Sequence, residues 1–366
     1  MSTNNRTGRK RDYVGVLSSV FAIVIGLLVG FVILLICNPS QALPGFVTIL
    51  TGAFTHGLKG VGQVFYYATP IILTGLSVGF AFKTGLFNIG TPGQFIVGAF
   101  AAVDVGIRWT GLGRIQWAVA LLAAILGGAL WGMVPGFLKA CFNVNEVIAS
   151  IMMNYIGMYM VNWIVKSYKP LFNNLRNESR NVAATAQIPK MGMDKLFPES
   201  SVGGGILLAI AAVLIIWVIL NKTTFGYELK AVGFNRDASR YAGINEKRNI
   251  IMSMVIAGAI AGMAGGLLYL AGTGKHIEIK AVLASEGFTG ISVALLGLSH
   301  PIGVLFSGLF IAYLTAGGFY LQLFEFSTEI IDIIVAVIIY FSAFALIVKT
   351  ILTRMNRKRE KGDGRT

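Results

Sequence analysis

The sequence predicts an all-α fold: a polytopic membrane helical bundle of about ten transmembrane helices, with two short broken-helix segments. Of its 366 residues, 55% are apolar and only 13% are charged, whereas a soluble domain carries ~25% charged residues. A chain with so few charged residues and so many apolar ones cannot form a water-soluble surface. The composition therefore excludes a soluble enzyme, a disordered tail and a secreted disulfide scaffold.

The apolar residues form ten candidate spans, and each is predicted to be a helix because backbone polar groups in lipid must be satisfied within the segment. The first, 14–37, is uncharged. It is longer than the ~7–15 residues of a signal-peptide core and is long enough to cross ~30 Å of hydrocarbon. The other spans are 61–82, 94–107, 117–139, 146–165, 203–221, 250–271, 286–299, 301–319 and 329–349.

Two of these spans, 94–107 and 286–299, are short for full crossings. Glycine-rich polar sequence marks the start of each, at 83–94 and 285–292. Short apolar segments interrupted by glycine or proline indicate broken helices around a transport path. The alternative interpretation is two ordinary loops at the membrane edge.

The basic residues assign the topology. The net charge is +14, and lysine and arginine concentrate at the N-terminus, in 222–249 and at the C-terminus. An even number of spans places these three segments on one side, which the positive-inside rule makes cytoplasmic. The predicted domains are a cytoplasmic basic tail (1–13), a transmembrane domain (14–349) and a second cytoplasmic basic tail (350–366).

Residues 167–200 form the predicted extracellular loop. This loop is basic, against the positive-inside trend, and its interpretation stays open between a docking surface for an external partner and a solvated loop. Its basic residues are Lys169, Arg176, Arg180, Lys190 and Lys195.

Glycines at i, i+4 predict close helix packing, as in Gly128/Gly132 and Gly258/Gly262. Cys37 and Cys141 lie in apolar surroundings without a CxxC spacing, so we predict small buried residues rather than a metal or disulfide site.

The stretch 222–249 is the most distinctive polar segment. Residues 236–241 mix small and charged side chains and predict a short helix outside the membrane. Ala238 and Ala242, at i, i+4, give it a flat face. Such a face suits insertion into a groove on a partner protein, and the alternative is a solvated interhelical loop.

Four motifs in order resemble one family. These are GLFNIGTPGQ (85–94), NEVIASIMMNY (145–155), TFGYELKAVGFNRDASRYAGI (224–244), and GFTGISVALLG (287–297) with HPIG (300–303). Together they resemble bacterial ABC importer permeases for sugars, branched-chain amino acids and nucleosides, and the second is similar to the nucleoside (guanosine-type) branch. Thr91-Pro92 departs from the Ala-Glu more usual in that branch.

The resemblance implies a transport subunit without catalytic residues, metal or cofactor of its own. ATP and Mg would be bound by a partner ATPase, and the sequence contains no phosphate-binding GxxxxGK[ST] motif. Other implied partners are a second permease (a paralogue or a second copy), a substrate-binding lipoprotein, a nucleoside or similar solute, and membrane lipid, but no nucleic acid. The implied location is the bacterial cell membrane, with both termini cytoplasmic.

Two sets of candidate residues follow from the resemblance. Amides and aromatics suit the edges and face of a nucleobase, and the substrate-pathway candidates are Phe87, Asn88, Gln94, Asn154, Phe288 and Ser292. For these residues ordinary packing and interhelical hydrogen bonding remain alternatives. The ATPase-coupling candidates are Gly226, Ala231, Gly233, Asn235, Arg236, Ala238, Ala242 and Gly243.

The acidic residues near span ends bear on the alternative functions. Glu146, Glu329 and Asp332 are interpreted as helix-capping charges, with a gate or pairing role for Glu146 as the alternative. An ion-coupled secondary transporter would need acids deep within a span, and the predicted spans carry none. A permease for simple sugars or other small solutes is the closer alternative to a nucleoside importer.

Overall fold

The structure is a computed structural model that describes residues 20–21, 23–327, 330, 333–334, 336–337 and 340–341. The predicted tails 1–13 and 350–366, the acids Glu329 and Asp332, and most of the predicted span 329–349 lie outside the described residues.

The described residues are mainly helical, which confirms the membrane helical bundle. The helices are α1 (Ile23–Cys37), α2 (Ala42–Thr55), α3 (Gly57–Lys83), α4 (Thr91–Arg108), α5 (Gln116–Phe142), α6 (Glu146–Ser167), α7 (Met193–Leu196), α8 (Gly205–Lys222), α9 (Thr224–Phe234), α10 (Arg236–Tyr241), α11 (Glu246–Tyr269), α12 (Ser285–Leu296) and α13 (Pro301–Phe319). Short 3₁₀ segments cover Thr110–Ile115, Ala184–Ala186 and Tyr320–Phe324. The strands β1 (Phe172–Asn173) and β2 (Glu178–Ser179) pair antiparallel.

Six helical segments of the described chain are long and apolar enough to cross a membrane. They are Gly57–Lys83, Thr110–Phe142, Glu146–Ser167, Gly205–Lys222, Glu246–Tyr269 and Pro301–Phe324. The count of ten crossings therefore stays a prediction.

Helix boundaries differ from the prediction at three places. The sequence predicted neither α2 nor α9, since Pro44 and Gly45 interrupt the apolar pattern of α2 and charged residues surround α9. The predicted short segment 94–107 is an 18-residue helix, about 27 Å long, so it is not short. The other segment is α12, and its 12 residues span only about 18 Å.

The chain divides into two compact units. The described residues of 1–52 and 314–366 form one unit, in which Gly45 packs against Phe326 and Gly317 against Ile49. The second unit, Ala53–Tyr313, contains the candidate site.

Glycines bring α5 and α11 into backbone contact, as their spacing predicted. A Cβ added to Gly128 would lie 2.7 Å from the Cα of Gly262, and Gly258 approaches Gly128 from the same side.

The prediction that the two cysteines are buried is wrong: Cys37 and Cys141 are both exposed on the chain. Cys37 is the last residue of α1 and Cys141 lies in the last turn of α5, in the apolar sequence that had predicted burial.

Candidate functional site

Helices α6 and α8 separate two polar regions at opposite ends of the second unit. Helix α6 leaves the region of Glu146 and ends at the loop 168–204, and α8 returns from that loop to Thr223. The 18 residues of α8 cover about 27 Å. The segment 224–244 and the basic loop 167–200 therefore lie at opposite ends of the helices.

The segment 224–244 folds into two short helices, α9 and α10, which we call the 224–244 module. The six-residue α10 (Arg236–Tyr241) confirms the predicted short helix. Asn235 joins the two helices, because its backbone is extended and its Oδ1 accepts a hydrogen bond from Ala238 N at 3.0 Å. This is the N-cap geometry favoured by asparagine.

An open groove of about 570 Å³ runs along this module, lined by Thr224, Tyr227, Glu228, Ala231, Phe234, Asn235, Ala238, Ser239, Ala242 and Ile244. Tyr227 and Phe234 line this groove and are 70% and 91% exposed, and Tyr241 of α10 is 95% exposed. Exposed aromatic side chains at a groove are typical of a protein-binding surface.

The predicted coupling residues divide into two groups. Ala231, Asn235, Ala238 and Ala242 line the groove. The three glycines and Arg236 shape the module instead. Gly243 has a φ of +82° just after α10, which favours glycine, and Arg236 Nε lies 3.6 Å from Glu246 Oε2.

Gly226 and Gly233 are sites of close packing. A Cβ on Gly226 would lie 2.7 Å from the Cα of Leu220, and one on Gly233 would lie 2.9 Å from the backbone of Thr84 and 3.0 Å from Gly85 N. The module therefore rests directly on the connection between α3 and α4.

That connection leads into a buried amide network. Asn88 Nδ2 donates to Gln94 Oε1 at 2.9 Å, and Gln94 Nε2 donates to Asn88 Oδ1 at 3.1 Å. Asn88 also donates to Ser77 Oγ (3.3 Å), which donates to Ala257 O (2.7 Å). The network thus joins α3, the start of α4 and α11.

Asn154 attaches α6 to the same loop. Its Nδ2 donates to Ile89 O at 2.9 Å, and its Oδ1 accepts from Gly93 N at 2.8 Å. Asn88, Gln94 and Asn154 are all buried. In this conformation the amides of these three pathway candidates form hydrogen bonds with other groups of the chain. This is the interhelical hydrogen bonding that remained an alternative to substrate contact in the sequence.

The other pathway candidates lie elsewhere. Phe87 is half-buried and stacks on Phe82, with ring centroids 5.3 Å apart. Phe288 is exposed and Ser292 half-buried on one side of α12, whereas Gly287 and Gly290 on its other side pack against Pro92 and Thr74. The structure does not bring Phe288 and Ser292 together with the amide network.

The acid Glu146 is paired as well as placed at the start of α6. Its Oε2 lies 2.8 Å from Lys139 Nζ, and both side chains are largely covered. Together with Gly233 and Arg236 they line a cavity of about 190 Å³ between the α5–α6 turn and the 224–244 module.

Several residues of this region were not predicted. Ser77 is an isolated small polar residue in an apolar helix, which the sequence does not distinguish from a packing residue. Tyr227, Phe234 and Tyr241 carry a recognisable signal, since large aromatics within a charged segment outside a span are candidates for partner contact. Among the described residues, no cluster of three or more His, Cys, Asp or Glu could hold a metal ion.

An apolar helical bundle that holds a buried amide network and carries an exposed two-helix module fits a membrane transport component. The chain belongs to the family described as the permease component of the branched-chain amino acid transport system, which residues 60–343 match. This confirms the resemblance found in the sequence and makes the chain a transport subunit rather than an enzyme.

Curated relatives align over most of the chain. The guanosine ABC transporter permease protein NupP of Bacillus subtilis is 38% identical over 93% of this chain and 96% of its own length. The nucleoside ABC transporter permease protein NupB of Lactococcus lactis is 34% identical over 96% and 95%, respectively. The glucose ABC transporter permease protein TsgB13 of Haloferax volcanii is 32% identical over 81% and 78%. No solved structure matches the chain significantly.

Proposed function

We propose that this chain is the permease subunit of an ATP-driven importer of nucleosides in the cell membrane of a bacterium. The observation that carries the proposal is its similarity, over nearly the full length of both chains, to permeases named for guanosine and nucleosides. In this proposal ATP and Mg are bound by a separate ATPase, and a substrate-binding lipoprotein delivers the solute.

The 224–244 module is the proposed contact for the ATPase. Its groove and exposed aromatics provide a binding surface, and Gly233 transmits movement of the module to Thr84 and Gly85 by direct backbone contact. Because the amide network begins only three residues later, at Asn88, displacement of this connection would act on the interior of the bundle. A contact surface linked to packed helices is the kind of element that two-state transporters use.

The proposed membrane topology follows from assigning the 224–244 module to the ATPase contact. The module and both chain termini are cytoplasmic, the loop 167–200 is extracellular, and ten helices cross the membrane. A second permease, either a paralogue or a second copy, completes the pathway, with Phe87, Asn88, Gln94, Asn154, Phe288 and Ser292 as candidate lining residues after the helices move.

Uptake by a reconstituted transporter tests the proposal. The permease, its ATPase, its second permease and its binding protein are placed in liposomes, and uptake of labelled guanosine, inosine and uridine is followed with and without ATP. We expect uptake only with ATP and a functional phosphate-binding loop in the ATPase. ATP-independent uptake that an ionophore abolishes would instead identify an ion-coupled secondary transporter.

A sugar importer is the second candidate, and the similarity to a glucose permease favours it. Competition separates the two substrates in the same liposomes. Excess unlabelled glucose should leave guanosine uptake unchanged if the importer is specific for nucleosides. Uptake of glucose with no uptake of any nucleoside would contradict the proposed substrate.

A further inference from the structure

A second polar cavity lies at the end of the bundle opposite the 224–244 module. Its volume is about 280 Å³, close to the ~300 Å³ lower limit of typical small-ligand pockets. We call it the loop cavity, and it is lined by Ile96 of α4, Met158 and Asn162 of α6, Tyr269 of α11 and residues of the segment 275–286.

One wall of the loop cavity is the segment 276–279, in which polar and apolar residues alternate. Ile277 is buried with Val161 and Val165, and Ile279 packs against the same cluster. His276 and Glu278 alternate with these isoleucines and line the cavity. An extended segment with apolar residues on one face and polar residues on the other holds such a wall in place.

This wall is hydrogen-bonded to the hairpin formed by β1 and β2. Ser179 N donates to Ile277 O at 2.9 Å, and Ile279 N donates to Asn177 O at 3.2 Å. The hairpin therefore fixes the wall from the solvent side, and its turn carries Leu175, which is 96% exposed.

The charges around the loop cavity cancel. Lys275 Nζ lies 3.1 Å from Glu286 Oε1, and Lys280 Nζ lies 2.7 Å from Glu278 Oε2. Burial lowers the pKa of Lys275, but the charge and the hydrogen bond of Glu286 outweigh this effect and raise that pKa above its usual value. Each of these two lysines is thus paired with a carboxylate, and the two pairs bring no net charge to the lining.

The remaining lining groups suit a solute with a flat ring and hydroxyl groups. Tyr269 contributes an aromatic ring, and His276 and Ser285 contribute groups that donate or accept hydrogen bonds. Asn162 Nδ2 donates to Lys280 O at 3.0 Å. That bond orients the amide, whose oxygen accepts hydrogen bonds.

The loop cavity also opens onto α12, the one short helix among those that were predicted to be broken. Ser285 and Glu286 line the cavity and form the first turn of α12. Phe288 and Ser292 follow Ser285 at i+3 and i+7, on one side of the helix. A solute that leaves the cavity along α12 would therefore meet two of the pathway candidates.

We propose that the loop cavity is a recognition site for an uncharged nucleoside at the entrance of the permease, and that it discriminates against phosphorylated forms. This inference rests on the proposed function and adds a site and a selectivity to it. A phosphate group would bring a negative charge of up to two into a lining whose cations are already paired. A neutral, hydroxylated solute needs no unpaired cation in the lining to balance its charge.

Protection from cysteine labelling tests the site directly. The full chain with Cys37→Ala and Cys141→Ala is assembled with its partner subunits in lipid nanodiscs, and Ser285→Cys supplies a single thiol. We expect saturating inosine or uridine to slow labelling of this thiol by a methanethiosulfonate reagent at least about threefold, while inosine 5′-monophosphate at the same concentration does not. The control is Asn174→Cys in the exposed hairpin turn, where nucleosides should leave the rate unchanged.

Two substitutions test recognition and selectivity separately. Asn162→Leu should raise the KM for nucleoside uptake by about tenfold with kcat little changed, because a uniform binding contact is lost, whereas the matched variant Asn174→Leu should have no effect. Glu286→Gln leaves Lys275 without its carboxylate, so inosine 5′-monophosphate should now slow labelling by about three- to tenfold.

The outcomes keep this proposal separate from the proposed function. If the transporter takes up nucleosides but neither slows labelling at Ser285→Cys nor responds to Asn162→Leu, the loop cavity is not a recognition site and the function stands. Equal protection of the Ser285→Cys thiol by inosine and by its monophosphate, with Glu286 unchanged, would overturn the proposed selectivity. A transporter that takes up no nucleoside at all would overturn the proposed function itself.

Discussion

Truncation of Phe234 to alanine is the sharpest test of the 224–244 module as the ATPase contact. An exposed aromatic side chain offers about 200 Å² for burial, and Phe234 is 91% exposed. Phe234→Ala removes about 120 Å² of that area, which corresponds to about 3 kcal/mol at ~25 cal/mol per Å². Because binding also costs rotamer freedom, we expect ATPase affinity to fall by about 1.5–3 kcal/mol, or roughly 10- to 150-fold.

The assay is the dissociation constant of the ATPase for the permease in nanodiscs, followed by ATP-dependent uptake. Phe306→Ala is the matched control, since Phe306 is also exposed but lies in the apolar helix α13. The thermal stability of Phe234→Ala should equal that of the unmodified chain, because a solvent-exposed ring packs against little. Unchanged ATPase affinity in a variant that carries both Phe234→Ala and Tyr241→Ala would refute the reasoning.

Three further predictions concern the bundle itself and are checked by thermal unfolding in detergent. Asn88→Leu strands the buried amide of Gln94 and should destabilise the chain by about 1–3 kcal/mol, and adding Gln94→Leu should cost less than the sum of the two single changes. Gly262→Val cannot fit against α5, so it should lower stability by at least about 3 kcal/mol or prevent folding, whereas Gly111→Ala, where a Cβ meets open space, should be neutral. Asn145→Ala removes the N-cap of α6, which accepts from Val147 N at 2.9 Å, and should cost about 1 kcal/mol.

The sequence alone predicted the helical membrane class, because the polar groups of a backbone in lipid must find hydrogen-bond partners within their own segment, which favours helix. The glycine spacing also predicted close helix packing, and the small and charged residues of 236–241 predicted the position of α10, but only the structure shows that α5 packs on α11. The α2 and α9 helices were missed because Pro44 and Gly45 lie in the first turn of α2 and charged residues surround α9.

The candidate site was likewise predicted only in part from the sequence. The motifs around Asn88 and Asn154 identified these residues as polar groups inside the bundle. The hydrogen-bond partners of these amides could not be predicted from the sequence. The partners of Asn154, Ile89 O and Gly93 N, are backbone atoms, which every residue type supplies. Whether an amide faces a pathway or another helix depends on neighbours from distant segments.

Composition, charge distribution and motif order thus determined what kind of protein this is: a membrane-embedded transport subunit without a nucleotide-binding motif of its own. Those properties are sums or local patterns along the chain, so a linear sequence carries them. Tertiary structure decided which surfaces are available. It left Phe234 and Tyr241 exposed, directed Asn88 and Gln94 at each other, and assembled the loop cavity from four separate segments, because only folding sets the distances between residues far apart in sequence.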